Sequence, residues 1–457
     1  MNTNLEADVI YMGGFKKVLL LLLIVAFVNG KNSTTITTES KNSSLNTSIK
    51  YLGPTFYLKE ILHTFLIHDY SEDKKRPEVT YTPVQMAESL GYTTETHVVT
   101  TADGYLLTMF RISGSKTNPA KPGKPAVLMH HGIFASSADW IATGSDLALV
   151  YPLVDAGYDV WLANCRGNTF SKYHLTKSPD VKEFWDFSYH ELGVYDIPAE
   201  IDQVLNVTGQ EKLFYVGHSM GTTSFFILLS EHPEYNEKIY KMFAYAPVVY
   251  INFRAPLIGL LAIVLKLLNY VYDFYGSFEL LPQDSIITQT ILYGCMSYTP
   301  LQTLCLNGLF LFFGYNTANF RKSTVPTLGH NTPGGASLKM LIHYEQMYSD
   351  KKFQKFDYNN KNMIHYGQKD PPEYKLENTR VPIEIFYGVN DWLCTNGEEL
   401  DKFISQLSSE AVVHIVQSEA FNHVSFVYGS DARELIYLET IKLMNSFLSE
   451  NTDIKFD

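Results

Sequence analysis

The stretch from Leu213 to Ser230 constrains this chain more than any other. Leu213-Phe214-Tyr215-Val216 is a short apolar run of the kind that forms a buried strand. Gly217-His218-Ser219-Met220-Gly221 follows at once, and Thr222 to Ser230 has the make-up of a helix. A G-x-S-x-G pentapeptide between a strand and a helix predicts a turn so tight that a Cβ at Gly217 or Gly221 would clash. Such a turn lifts the Ser219 hydroxyl to the end of the sheet, over a helix N-terminus. The structural alternative is a serine that merely occupies a tight turn. His218, enclosed by the turn, is expected to pack rather than titrate.

The surrounding pattern says what sheet this strand joins. His97 to Thr101 and Tyr105 to Ile112 predict a hairpin around Ala102-Asp103-Gly104. Pro125 to His130, Asp159 to Asn164, Phe214 to Gly217 and Pro382 to Tyr387 are short apolar runs of strand type. Longer amphipathic stretches such as Trp185 to Leu205 lie between them. This alternation predicts an α/β fold with a mostly parallel sheet covered on both faces.

A serine hydroxyl is a weak nucleophile and needs a base that is itself oriented by a carboxylate. After a strand–serine–helix turn the partners follow in the order Ser, acid, His, so both must lie beyond residue 219. Asp391 stands in the loop after the strand-like Val381 to Gly388; its neighbour Asn390 is neutral and could not match it in stabilising an imidazolium. His423 is the last histidine, between the strand-like Val412 to Val416 and a final helix, Arg433 to Leu448. His414 falls inside that strand, and His343 and His365 precede the acid. An oxyanion needs N–H donors. One is expected from Met220, directly after the serine. The other is expected from Ile133, where the strand Leu128-Met129-His130 runs into His131-Gly132. No H-E-x-x-H or paired C-x-x-C is present, so neither a metal nor an organic cofactor is expected.

The chain's ends and one internal stretch differ from this body. Lys16-Lys17 precede the apolar run Val18 to Val28, with small residues at Val28-Asn29-Gly30, as in a secretory signal over residues 1–30. The run is short for a spanning helix, although an uncleaved anchor is the alternative. Residues 31–75 form a leader whose Ser/Thr/Asn-rich first part is expected to be disordered. The N-x-[ST] acceptors are Asn32, Asn42, Asn46 and Asn206. Four cysteines are too few for a disulfide scaffold. A net charge of −12 excludes a basic nucleic-acid footprint. Aromatic residues make up 14% of the chain, and 13 of them crowd into the 66 residues from Tyr250 to Tyr315, which hold only five charges. Lys266 and Asp273 argue against a membrane span there. The stretch is expected to be an inserted helical cap that shelters an apolar pocket.

These residues together resemble the acid lipase family of α/β-hydrolases: gastric and lysosomal acid lipases and their invertebrate relatives. The resemblance runs from about Arg76 to Leu448. It is carried by Pro77-Glu78-Val79, Asp103-Gly104-Tyr105-Leu106-Leu107, Asn164-Cys165-Arg166-Gly167-Asn168, Phe184-Trp185-Asp186-Phe187-Ser188, Tyr195-Asp196-Ile197-Pro198-Ala199 and Gly217 to Thr222. It implies a triad of Ser219, Asp391 and His423, with Ile133 and Met220 as oxyanion donors. It implies a hydrolase core over 76–249 and 374–450 and a mainly helical cap over 250–373, part of it a movable lid. The implied substrates are lipid esters such as triacylglycerols or sterol esters, met at a lipid–water interface by the cap. The implied location is extracellular or lysosomal, and no obligate protein partner is implied. A small-ester carboxylesterase and a non-catalytic lipid-binding or storage relative are the competing functions. The family usually carries Ser where Cys165 stands and Asp where Ser425 stands. The first departure is expected to have little effect, and the second to alter the surroundings of His423. Cys295 and Cys305 fall near the family's cap disulfide, while Cys394 has no obvious partner.

Overall fold

The computed structural model describes residues 80–251, 258–285, 288, 313–314, 321 and 324–451. The signal and leader, the sequons Asn32, Asn42 and Asn46, and Cys295 and Cys305 lie outside the described residues. The chain divides into two compact units. Residues 1–75 and 284–291 form one, of which Asp284, Ser285 and Thr288 are described; there the Ser285 hydroxyl donates to Thr288 Oγ1 at 2.8 Å. Residues 76–283 and 292–457 form the other, which carries the sheet.

The strands, in chain order, are β1 (Thr93–Thr100), β2 (Tyr105–Gly114), β3 (Ala126–His130), β4 (Asp159–Leu162), β5 (Tyr173–His174), β6 (Leu213–His218), β7 (Ile239–Tyr245), β8 (Glu279–Leu280), β9 (Ala336–Ser337), β10 (Ile383–Gly388) and β11 (Ala411–Val416). The main sheet runs β1-β2-β4-β3-β6-β7-β10-β11, with β5 paired to β2; β8 and β9 form a separate antiparallel pair. Strands β4, β3, β6, β7, β10 and β11 are parallel to one another, while β2 is antiparallel to both β1 and β4. The hairpin and each of the expected strands are present. The expectations passed over β7, whose Ile239 to Tyr245 seats it between β6 and β10.

Strand periodicity splits the core into two layers. Along β6, Leu213 and Tyr215 enter one apolar cluster and Phe214 and Val216 the other; Ala126 and Leu128 of β3 part from Val127 and Met129 in the same way. Successive side chains point to opposite faces, and both faces are covered, so β3, β4 and β6 are buried along their whole length. The helix after β6, Met220–Glu231, is buried from Met220 through Ser230. Two of its buried hydroxyls find partners inside: Thr222 donates to the Ser219 carbonyl and Thr223 to the Val248 carbonyl. Burial of Phe225 and Phe226 contributes about 1.5–3 kcal/mol each.

The amphipathic stretch at Trp185 starts its helix later than its pattern suggested. Ser188 caps the turn Tyr189–Glu191, accepting from the His190 N–H, while Glu191 reaches back to the Ser188 N–H. A π-helical turn, Leu192–Asp196, then leads into the helix Ile197–Thr208. Gly193 in this turn lies so close to the Met220–Glu231 helix that a Cβ would sit 2.7 Å from the Ser224 carbonyl oxygen. Asp196 at the end of the turn binds Arg166, which is buried and also pairs with Asp103 while stacking on Tyr105. Three of the stretches that carry the family resemblance thus meet in one ion-pair cluster.

In the aromatic-rich stretch, the described part centres on the helix Ile258–Tyr275. Among the described residues, no helix is long and apolar enough to cross a membrane.

Candidate active site

Strand β6 ends at His218, and the chain turns at Ser219 with φ 54° and ψ −115°. A non-glycine residue with positive φ is strained, and here the surroundings hold it in place. The Ser219 N–H donates to the Tyr245 carbonyl at 3.0 Å, and the Thr222 hydroxyl donates to the Ser219 carbonyl at 2.6 Å. Close approach, not backbone sign, demands the two flanking glycines. A Cβ on Gly221 would lie 2.4 Å from the His130 carbonyl oxygen, and one on Gly217 would lie 3.0 Å from the Gly221 carbonyl group.

Asp391 follows β10 and His423 follows β11, so parallel neighbours deliver both to the same sheet end as the serine. His423 Nε2 stands 2.8 Å from Ser219 Oγ, and Nδ1 stands 2.8 and 3.0 Å from the two Asp391 carboxyl oxygens. The backbone N–H groups of Leu393 and Cys394 also donate to Asp391 Oδ1, at 2.8 and 3.0 Å. With an acceptor-only carboxylate at Nδ1, the ring proton sits there and Nε2 accepts from the serine hydroxyl. Ser219, Asp391 and His423 are all buried.

His423 is held through its backbone as well. The His423 carbonyl accepts from His218 Nε2–H at 2.9 Å, and the His423 N–H donates to the Phe313 carbonyl at 3.2 Å. The Phe313 ring stacks on the imidazole at 6.2 Å between centroids. Asn422 Nδ2 donates to the Gly314 carbonyl, and Ser425 is tied to Asn422 through both its hydroxyl and its backbone N–H. Ser425, the departure noted above, therefore closes a local turn after His423. Sequence reasoning found neither the His218 tether nor the Phe313 contact, because each joins positions about a hundred or more residues apart.

On the other side of Ser219, β3 leads into His131-Gly132-Ile133. A Cβ on Gly132 would lie 3.3 Å from Ser219 Cβ and 3.7 Å from its Oγ. The N–H groups of Ile133 and Met220 take no hydrogen bond among the described residues. Burial pushes the His131 pKa down to about 4 and that of His218 down to about 3, so both rings are neutral.

The rival residues lie elsewhere. His414 pairs with Glu384 at 2.7 Å. His343 is stacked on Tyr189, and His365 on Tyr358. The Asn390 carbonyl packs where Gly314 would carry a Cβ. Cys165 is buried in the core, where burial raises its thiol pKa well above the ordinary range. Cys394 is a buried thiol. Asn206 is exposed on the helix Ile197–Thr208. Among the described residues, no cluster of three or more His, Cys, Asp or Glu is arranged to hold a metal ion.

Residues 83–144 match the family described as a partial alpha/beta-hydrolase lipase region, and residues 125–426 match the alpha/beta hydrolase fold. Lipase 3 of Drosophila melanogaster is 38% identical, over 79% of this chain and 92% of its own length. Gastric triacylglycerol lipase of Bos taurus is 37% identical, over 81% and 92%. Human lysosomal acid lipase/cholesteryl ester hydrolase is 36% identical, over 81% and 92%. A solved structure of a candidate lipase from Sulfolobus solfataricus shares the fold, with a TM-score of 0.52 and 13% identity over 75% of this chain and 90% of its own. Identity sustained at this level across nearly the whole length of several relatives makes the chain a member of the acid lipase family of α/β-hydrolases.

Proposed function

We propose that this chain hydrolyses carboxylic esters of lipids through an acyl-enzyme on Ser219. The observation that carries the reading is the unbroken hydrogen-bond chain from Ser219 Oγ through His423 to Asp391. Ser219 Oγ bonds to the ester carbonyl carbon while its proton passes to His423 Nε2. Asp391 keeps the imidazole oriented and stabilises its charged form. The Ile133 and Met220 N–H groups receive the oxyanion. The carbon–oxygen bond to the alcohol then breaks, and His423 returns the proton to the leaving oxygen. Water repeats the sequence on the acyl-enzyme and frees the acid.

Long-chain esters such as triacylglycerols or sterol esters are the substrates of this reading. The related gastric and lysosomal lipases are named for such esters. The cap is taken to span 250–373, and one feature of it supports contact with a lipid–water interface. Ile263, Leu267 and Phe274 are exposed and share one face of the helix Ile258–Tyr275, with Tyr275 exposed at its end. The apolar run in residues 1–30 supports entry into the secretory pathway, with extracellular or lysosomal residence and glycosylation at Asn206 and the leader sequons.

The test compares short- and long-chain esters as substrates for the wild type and Ser219→Ala. Hydrolysis of long-chain esters, lost in the variant, supports the reading. Activity on short esters alone would move it to a small-ester carboxylesterase. Hydrolysis retained by Ser219→Ala would remove the assigned nucleophile. Protein in culture medium that begins after residue 30 would support the secretory assignment.

A further inference from the structure

His131 is buried beside the Ser219 turn, and its two ring nitrogens face opposite kinds of partner. Nε2 lies 3.3 Å from the backbone N–H of Cys165 and 3.1 Å from Asn168 Nδ2. A backbone N–H can only donate, so Nε2 accepts and carries no proton. The Asn168 amide cannot be turned round. Its Oδ1 already accepts the N–H groups of Phe170 and Ser171, at 2.9 and 3.1 Å. Its Nδ2 also reaches Asn164 Oδ1 at 3.0 Å; that amide is fixed in turn by the Ser137 N–H and the Thr108 carbonyl. The remaining ring proton therefore sits on Nδ1, which donates to the Gly132 carbonyl at 2.8 Å.

That carbonyl and the Ile133 N–H are the two ends of one planar peptide group. Holding the oxygen sets the direction of the N–H, and a hydrogen bond to the carbonyl polarises the N–H as a donor. Among the described residues the same oxygen takes one other bond, from the Ala135 N–H, at a longer 3.3 Å. This peptide borders the nucleophile, as the Gly132 geometry shows.

We propose that His131 is a positioning residue, whose Nδ1–H aims and polarises the Gly132–Ile133 peptide so that the Ile133 N–H meets the oxyanion. The proposal rests on the reading of Ile133 as an oxyanion donor. Charge on that oxygen develops in the transition state, so loss of the effect falls on kcat and spares KM.

Two amide substitutions separate the halves of the ring. His131→Asn puts an amide nitrogen near the place of Nδ1 and keeps a donor for Gly132. His131→Gln puts its amide near Nε2 and leaves the Gly132 oxygen with Ala135 alone. In His131→Gln, kcat on a soluble ester is expected to fall about 10–100-fold with KM within about threefold, a fraction of what losing a whole oxyanion donor causes. His131→Asn is expected to recover at least about fivefold of that loss. Folded His131→Gln with unchanged kcat, equal losses in both variants, or a change confined to KM would overturn the proposal. Should His131→Gln not fold, the imidazole nitrogen shifts of the wild-type protein decide: a proton on Nδ1 is expected, and a proton on Nε2 overturns the proposal. Wild-type protein is treated in parallel with a fluorophosphonate. No label on Ser219 would defeat the underlying reading, whereas a labelled Ser219 with an unaffected His131→Gln defeats only the role of His131.

Discussion

The Nε2–H of His218 donates to the backbone carbonyl of His423 at 2.9 Å, so a residue inside the serine turn holds the chain of the histidine that faces that serine. The ring also lies against Trp140 and Phe426. His218→Phe keeps an aromatic ring there but leaves a buried carbonyl unpaired. It is expected to lower unfolding free energy by about 1–3 kcal/mol and to reduce kcat, checked by denaturant unfolding and steady-state kinetics.

The Asp391 carboxyl meets His423 through both oxygens. Asp391→Asn can keep this geometry yet favour the wrong imidazole tautomer. Its kcat on a soluble ester is expected to fall about 10⁴-fold, with ester binding little changed. A loss that appears only in KM would contradict the assigned orienting role.

Gly221 faces the end of β3 with no room for a side chain. Gly221→Ala forces a carbon against the His130 carbonyl and is expected to destabilise the fold by about 1–3 kcal/mol through overpacking. A thermal scan equal to wild type would show that the turn can open without loss.

Asp139 is buried between the loop after β3 and Thr332, whose hydroxyl donates to it at 2.9 Å. Burial raises its pKa from the ordinary 3.8 to about 6, against the opposing hydrogen bonds from Tyr428 and Thr332. The folded state therefore holds the proton more tightly than the unfolded chain. That contribution is complete below about pH 3.8 and is lost as pH rises through about 6. It amounts to on the order of 3 kcal/mol. Asp139→Asn is expected to remove this slope, gaining stability over wild type at pH 7 and little at pH 4. Unfolding curves for both proteins across that range provide the check.

The exposed face of Ile263, Leu267 and Phe274 gives a separate expectation. Serine at all three positions is expected to lower hydrolysis of emulsified long-chain ester while leaving kcat on a soluble ester near wild type. Equal rates on emulsion would make these residues mere surface. Their neighbours in the aromatic stretch do pack: Tyr250 donates to Gln406, and Tyr272 donates to Asp186 and meets Phe356 edge to face.

Much of the site was legible locally. The serine turn is written in adjacent residues, because a strand, two close-packed glycines and a helix are short-range demands. Asp391 and His423 could be picked by chain order, since a parallel sheet sends successive strand ends to one side. The late start of the helix at Tyr189 was hidden because Trp185 and Phe187 keep an apolar pattern while packing around Gly167. Strand β7 was passed over because Lys241 interrupts its apolar run. That lysine is accommodated by Glu384 of the adjacent strand, a partner 143 positions away.

The turn at Ser219, the two-residue alternation that splits the core, and a short set of residues able to serve as acid and base can all be read from neighbouring amino acids. These follow from steric limits and periodicities that act within a few residues. The proton on His131, the tether from His218 to His423 and the stacking of Phe313 on the imidazole arise instead from the folded arrangement. Each depends on which groups from distant segments come within 3 to 6 Å, where a hydrogen bond or ring contact can act. No local pattern encodes that distance; it is set by packing helices onto both faces of one twisted sheet.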